Sequence, residues 1–180
     1  MDLKGSKTEQ NLYRAFAGES RARMKYDLYA EKAKKDGYQW IAEIFNENSR
    51  NELAHAREIV EKYLNLIGCT KNNLLESVLG EGTEADNIYK KFEQDARNEG
   101  FNDIADFFKE LSEVEEEHSN RFKELYDKFE DGTIFKGPED SLWACMNCGY
   151  IYKGEEAPLV CPLCKYPRAY FKPYCNNQNE

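Results

Sequence analysis

The sequence predicts an all-α four-helix bundle followed by a small module organised around a metal. Three observations carry this reading. Four long segments place apolar residues at helical spacing and end in glycine-containing stops. The two histidines both close a Glu-x-x-His tetrapeptide, Glu52-Leu53-Ala54-His55 and Glu115-Glu116-Glu117-His118. Four of the six cysteines form two Cys-x-x-Cys pairs near the C-terminus.

The first helix begins near Ser6, where Ser6-Lys7-Thr8-Glu9 fits a capping box. Its inner stripe runs Leu12, Ala15, Glu19, Ala22, Tyr26, Tyr29 and Ala33, and Asp36-Gly37 ends it. The second spans about Tyr38 to Ile67, carrying Ile41, Phe45, Asn48, Glu52, His55, Ile59, Tyr63 and Leu66 inward, with Gly68 as its stop. The third covers roughly Leu75 to Asn98 and stops at Glu99-Gly100. The fourth starts near Asn102, carries Ile104, Phe108, Leu111, Glu115, His118, Phe122, Leu125 and Phe129, and closes at Gly132.

The helices repeat. Shifted by 63 residues, the second overlays the fourth without a gap: Gly37 meets Gly100, Ala42 meets Ala105, Phe45 Phe108, Ser49 Ser112, Glu52 Glu115 and His55 His118. Tyr26 and Ala33 of the first helix meet Tyr89 and Ala96 of the third, but Gly18-Glu19 meets Gly80-Glu81 only at a shift of 62. One extra residue therefore lies between Glu81 and Tyr89. A helix absorbs such an insertion as a π-bulge, which is expected there.

The spacing also carries chemistry. Residues three apart share a helix face, so each tetrapeptide aims a carboxylate and an imidazole at one point. Glu19, Glu52, His55, Glu81, Glu115 and His118 take inward positions, where charge is costly unless compensated. Four carboxylates balance two divalent cations. The expected arrangement is one Glu from each of two helices plus a Glu-x-x-His from each of the others. Glu52 and Glu115 would bridge the metals, and Glu19 and Glu81 would be terminal ligands. Oxygen-rich ligation with one imidazole per metal suits iron or manganese. Glu84, one turn after Glu81, has no counterpart in the first helix. It reads either as a carboxylate that stabilises the oxidised metal pair or as a surface acid. Tyr26 and Tyr89 read as packing residues or as proton donors facing the cavity.

Composition excludes other classes. Net charge is −9, which disfavours a general nucleic-acid binder. The polar N-terminal segment shows no secretory signal, and no apolar run reaches membrane length, so a cytoplasmic location is expected. In a reducing compartment the cysteines read as metal ligands rather than disulfides. Cys69 and Cys175 read as ordinary free thiols.

A linker is expected over 133–141, after helices in 1–132 and before a module in 142–180. From Ser141 onward there are four Lys/Arg and three acids, so the acidity belongs to the helices. Cys145-Met146-Asn147-Cys148-Gly149 and Cys161-Pro162-Leu163-Cys164 predict a tetrathiolate site, either a structural zinc ribbon or a mononuclear iron centre. Gly149 lets the turn fold around sulfur. Trp143, Tyr150, Tyr152, Tyr170 and Phe171 would build a small core around the metal, which supplies most of the stability. A thioredoxin-like motif is excluded by the lack of a βαβ pattern.

Taken together, Ala17-Gly18-Glu19-Ser20-Arg21-Ala22, Glu52-x-x-His55, Gly80-Glu81-x-x-Glu84, Glu115-x-x-His118, Cys145-x-x-Cys148-Gly149-Tyr150 and Cys161-Pro162-x-Cys164 resemble the rubrerythrin family over nearly the whole chain. The resemblance implies a ferritin-like di-iron bundle and a β-rich rubredoxin-like domain. It implies di-iron ligands at Glu19, Glu52, His55, Glu81, Glu84, Glu115 and His118. Residues matching Glu84 and His55 exchange on one iron as its redox state changes. Cys145, Cys148, Cys161 and Cys164 would hold a further iron, giving three per chain. Gly82-Thr83 and Ala85-Asp86 replace a more aromatic segment of many relatives, and Tyr152 stands where some carry histidine.

The implied activity is reduction of hydrogen peroxide to water, an oxidative-stress peroxidase. Its electrons would pass through the tetrathiolate iron from an NAD(P)H-dependent oxidoreductase, directly or by way of another rubredoxin. His118 lies twelve residues before Glu130, about 18 Å along a helix, so a head-to-tail homodimer is expected to shorten electron transfer between the two kinds of centre. The competing functions are an iron-oxidising ferritin-like protein, an electron-transfer protein with a structural bundle, and a zinc ribbon serving as an interaction module.

Overall fold

The computed structural model describes residues 2–175; Met1 and residues 176–180 of the expected terminal segments lie outside them. Two compact units divide the chain, Met1–Cys69 and Thr70–Glu180, and each is described by itself.

The first unit is a helical hairpin. Helix α1 (Lys7–Lys35) starts at the expected cap, where the Ser6 hydroxyl accepts the Glu9 N–H at 3.0 Å. The Glu9 carboxylate turns back to accept the N–H of Gly5 at 2.6 Å, one residue earlier than a standard capping box. Gly37, at φ +86°, supplies the left-handed turn into α2 (Gln39–Glu58). The second helix does not run regularly to Gly68. It widens into a π-helical turn over Ile59–Tyr63, and Asn65, at φ +51°, leaves the helical path. Asparagine tolerates that conformation better than most residues.

The second unit opens with one continuous helical run: α3 (Thr70–Thr83), a π-helical turn (Glu84–Tyr89) and α4 (Lys90–Glu99). The π turn falls where the one-residue slip of the repeat puts it. The run starts at Thr70 rather than Leu75, because its first turn, Thr70-Lys71-Asn72-Asn73, is polar and has no apolar period to reveal it. Gly100 (φ +87°) turns the chain into α5 (Asn102–Glu130).

Each hairpin has a seam of its own, built from small residues at equivalent positions. Ala42 and Ala105 are fully buried, and Ala33, Ala96, Ser49 and Ser112 are buried with them. Tyr26 stacks on Phe45 with ring centroids 6.1 Å apart, and Tyr89 stacks on Phe108 at 6.2 Å. The large residues of the expected inner stripes fare differently. Ile41, Tyr63, Ile104, Leu125 and Phe129 are all more than a third exposed. Two helices bury only the line along which they touch, and small residues let that line close. The alanines and serines therefore form the core of each hairpin, and the larger side chains flank it. Trp40, at the start of α2, is 79% exposed.

The C-terminal module is a three-stranded antiparallel sheet in the order β2-β1-β3, from β1 (Leu142–Cys145), β2 (Ile151–Lys153) and β3 (Phe171–Pro173). Trp143 pairs with Tyr152 on one side, and Cys145 pairs with Phe171 on the other. Trp143 is 2% exposed and packs with Cys145, Ala157, Cys161 and Phe171. Its indole N–H donates to the Gly154 carbonyl at 2.8 Å. Phe135 joins this core from the preceding segment, and Lys136 bridges to Glu156. The fold class is the expected one: long ferritin-like helices followed by a small β-rich, rubredoxin-like module. Among the described residues no helix is long and apolar enough to cross a membrane.

Candidate metal centres

In the first unit, α1 supplies Glu19 and α2 supplies Glu52 and His55. His55 Nδ1 lies 3.0 Å from Glu52 Oε2 and 3.4 Å from Glu19 Oε2. In the second unit, His118 Nδ1 lies 2.7 Å from Glu115 Oε2 and 3.8 Å from Glu81 Oε2. Each triad brings three ligand atoms within 4.8 Å of one another. The side chains of Glu52 and Glu115 are 17% and 12% exposed, against 60% and 50% for His55 and His118. The acids thus sit down in the seam while the imidazoles reach outward, so the triads are half-buried rather than enclosed.

Crowding shows in the protonation of these groups. The hydrogen bond between Glu19 and Glu52 raises the Glu19 carboxyl above its ordinary range, burial adds to this, and Glu52 falls correspondingly. Burial, then Glu115, raises Glu81. Glu52 and Glu19 raise His55. Protons relieve repulsion between crowded carboxylates, and a divalent cation relieves it in the same way. Two carboxylates and one imidazole per triad are hard oxygen and borderline nitrogen donors, a set that fits iron or manganese.

Glu84 stands apart from the Glu81–Glu115–His118 triad. It occupies the first position of the π turn, and its Oε2 accepts the Tyr89 hydroxyl at 3.3 Å. Burial first, then Glu84, raises the Tyr89 phenol. Tyr26, its repeat counterpart, stacks on Phe45 in a helix with no π turn near it.

The four thiols of Cys145, Cys148, Cys161 and Cys164 also cluster within 4.8 Å. Sγ of Cys145 and Cys164 are 3.7 Å apart, as are those of Cys148 and Cys161. A tetrahedral ion with metal–sulfur bonds of about 2.3 Å needs sulfurs about 3.8 Å apart, so the cluster fits a tetrathiolate site. The Tyr150 backbone N–H acts to lower Cys148, but desolvation and the neighbouring thiols push it up to about 12. Cys164 falls to about 6 against the pull of desolvation, through hydrogen bonds from the Asn147 side chain, the Tyr166 backbone and other thiols. Cys69 and Cys175 are exposed free thiols.

Sequence reasoning missed two contributors here. Lys165 takes φ +64° one residue after Cys164, the place Gly149 (φ +76°) holds after Cys148. A lysine gives no sequence signal for that conformation. Asn147, inside the first Cys-x-x-Cys, hydrogen-bonds the Cys164 thiol through its side chain.

Paired carboxylate–imidazole triads on helices, followed by a four-thiol knuckle, define an oxidoreductase class that joins a non-haem di-iron helical domain to a rubredoxin-like one. Residues 10–71 and 72–145 match the family described as rubrerythrin, and residues 143–172 match the rubrerythrin rubredoxin-like domain. The chain belongs to the rubrerythrin family. It is 41% identical over 187 residues to a rubrerythrin of Porphyromonas gingivalis, covering 97% of this chain and 94% of that one. It is 41% identical over 186 residues to rubrerythrin-1 of Clostridium acetobutylicum, covering 94% and 95%. A rubrerythrin of Clostridium perfringens is 40% identical over 186 residues, with coverage of 94% and 95%.

Proposed function

We infer that the protein reduces hydrogen peroxide to water. One peroxide, two electrons and two protons give two waters. The observation that carries this reading is the joining of two Glu/Glu/His triads and a four-thiol cluster in one chain. A protein that only oxidises and stores iron has use for the triads and none for the thiols.

The helices in 1–132 would hold an iron pair through Glu19, Glu52, His55, Glu81, Glu84, Glu115 and His118. Past a linker at 133–141, the module in 142–180 would hold one iron through Cys145, Cys148, Cys161 and Cys164. An iron pair held there would supply the two electrons needed to reduce the O–O bond, and an iron held by Cys145, Cys148, Cys161 and Cys164 would supply one-electron transfer to replace them. The protein's own groups handle charge and protons. Glu84 adds a carboxylate on one side only, available where positive charge rises on oxidation. The Tyr89 hydroxyl keeps a proton at the Glu84 oxygen. Tyr26 takes the corresponding position in the other hairpin.

We assign the ultimate donor to an NAD(P)H-dependent reductase of the rubredoxin-reducing type, acting directly or through a separate rubredoxin. The assembly is a head-to-tail homodimer in the cytoplasm. The test is metal analysis with stopped-flow peroxide kinetics. About three irons per chain are expected, two for the triads and one for the thiols. Rapid oxidation by peroxide in preference to dioxygen, with no mineral core, supports the reading. Preference for dioxygen with iron accumulation replaces it with ferritin-like iron oxidation.

A further inference from the structure

Ser49 and Ser112 are equivalent in the repeat and both buried, yet their hydroxyls bond to different partners. Ser49 donates to the Asp27 carboxylate. Ser112 donates to the backbone carbonyl of Ala85, at 2.7 Å, at the second residue of the π turn. The difference follows the inserted residue. In a regular helix each carbonyl is served by the N–H four residues on, and α1 is regular throughout. The Glu84–Tyr89 turn departs from that pattern, and there the Ser112 hydroxyl brings a side-chain donor to the Ala85 carbonyl.

A second hydroxyl of α5 bonds to the same helical run. Ser119 donates to the Val78 carbonyl at 3.0 Å, seven residues before Ala85. Its repeat counterpart is Ala56, which has no hydroxyl to give. The hairpin with the Glu84–Tyr89 turn is thus pinned twice, once on each side of Glu81 and Glu84. On α5 the two pins bracket Glu115 and His118. Phe108, one turn before Ser112, stacks on Tyr89, whose hydroxyl holds the Glu84 carboxylate.

We propose that Ser112 is a positioning residue that locks the π turn in register and so sets where Glu84 stands relative to Glu81, Glu115 and His118. It touches no reacting atom and acts through the carbonyl of Ala85, the residue after Glu84. This role rests on the peroxide-reducing reading for its catalytic consequence, but not for its structural one.

The test compares full-length, iron-loaded wild type with Ser112→Ala, Ser112→Thr and Ser49→Ala. Amide hydrogen exchange over 84–90 is expected to run about tenfold faster in Ser112→Ala, the effect of losing one buried hydrogen bond to that segment. Peroxide turnover is expected to fall about tenfold as Glu84 loses its register. The visible charge-transfer band of the oxidised iron pair should shift. Ser112→Thr keeps the hydroxyl and should restore exchange, band and turnover. Ser49→Ala should leave exchange over 84–90 at the wild-type rate. Wild-type exchange and spectrum in Ser112→Ala overturn the proposal, as does equal acceleration by Ser49→Ala. A wild type inert to peroxide overturns the functional reading instead, and the exchange contrast still decides the role of Ser112.

Discussion

Gly149 and Lys165 hold the same left-handed backbone conformation at the same place, one residue past the second cysteine of each pair, at φ +76° and +64°. Each N–H closes onto the carbonyl of the first cysteine, Gly149 to Cys145 at 2.8 Å and Lys165 to Cys161 at 3.0 Å. The Cys145 and Cys161 N–H groups then reach the carbonyls of Tyr150 and Tyr166. Two halves of unlike sequence thus give the thiol cluster one backbone geometry.

Only Gly149 adopts that geometry without strain. Lys165→Gly should therefore stabilise the metal-loaded module by about 0.5–1 kcal/mol, less whatever is lost with the Lys165 Nζ bond to the Pro162 carbonyl. Gly149→Ala should destabilise it by about 1 kcal/mol or more. Thermal melts of the two variants check this, and a lower melt for Lys165→Gly would show that the lysine contributes more than its backbone costs.

The seams predict a second asymmetry. Ala42 and Ala105 are fully buried where helices touch. Replacing either by leucine should cost about 1–3 kcal/mol through overpacking, although leucine is an excellent helix former. Leucine at half-exposed Ile41 or Ile104 should change stability little. Urea titrations that rank these variants in the opposite order would place the core elsewhere.

Metal uptake should release protons. Glu19, Glu81 and His55 are all raised above their ordinary values. A raised group binds its proton more tightly in the folded chain, so its contribution to stability is complete below its ordinary value. That contribution is lost as pH rises through the raised one. A cation must displace these protons, so affinity should increase with pH from the carboxylate range to neutrality. Titration calorimetry with Mn(II) in buffers of different ionisation enthalpy should record more protons released at pH 5 than at pH 7. Glu19→Gln should reduce that number.

Glu84→Ala should retain metal, since the Glu81–Glu115–His118 triad remains, but should slow peroxide turnover by about tenfold or more. Cys161→Ser should abolish reduction by the donor yet leave one peroxide-driven oxidation of the iron pair intact. Loss of that single oxidation in Cys161→Ser would end the proposed division of labour between the two kinds of centre.

Much of this was legible in the sequence because it rests on period and spacing. The Glu-x-x-His pairs each became a triad because a helix fixes what lies three residues away. The slip between Glu81 and Tyr89 located a π turn because one insertion in a repeat has few ways to be absorbed. The π turn at Ile59–Tyr63 left no such mark, because both residues also fit the helical stripe and the repeat shows no slip there. Thr70 was missed because a polar first turn has no apolar rhythm. The seam was missed for another reason. Apolar stripes mark large side chains, while close helix contact selects small ones such as Ala30, Ala42 and Ser49. Lys165 was invisible because strain is a property of conformation, which residue type signals only for glycine.

The chain has two tryptophans, and they sit at opposite extremes. Trp143 is sealed against two of the four clustered thiols, and Trp40 stands mostly in water on the first hairpin. Their emission should separate into a blue component, quenched when iron enters the thiol cluster, and a red component indifferent to it. Unlabelled protein therefore carries an optical readout of the thiol cluster, and iron loading of the C-terminal module should be measurable in real time by fluorescence alone.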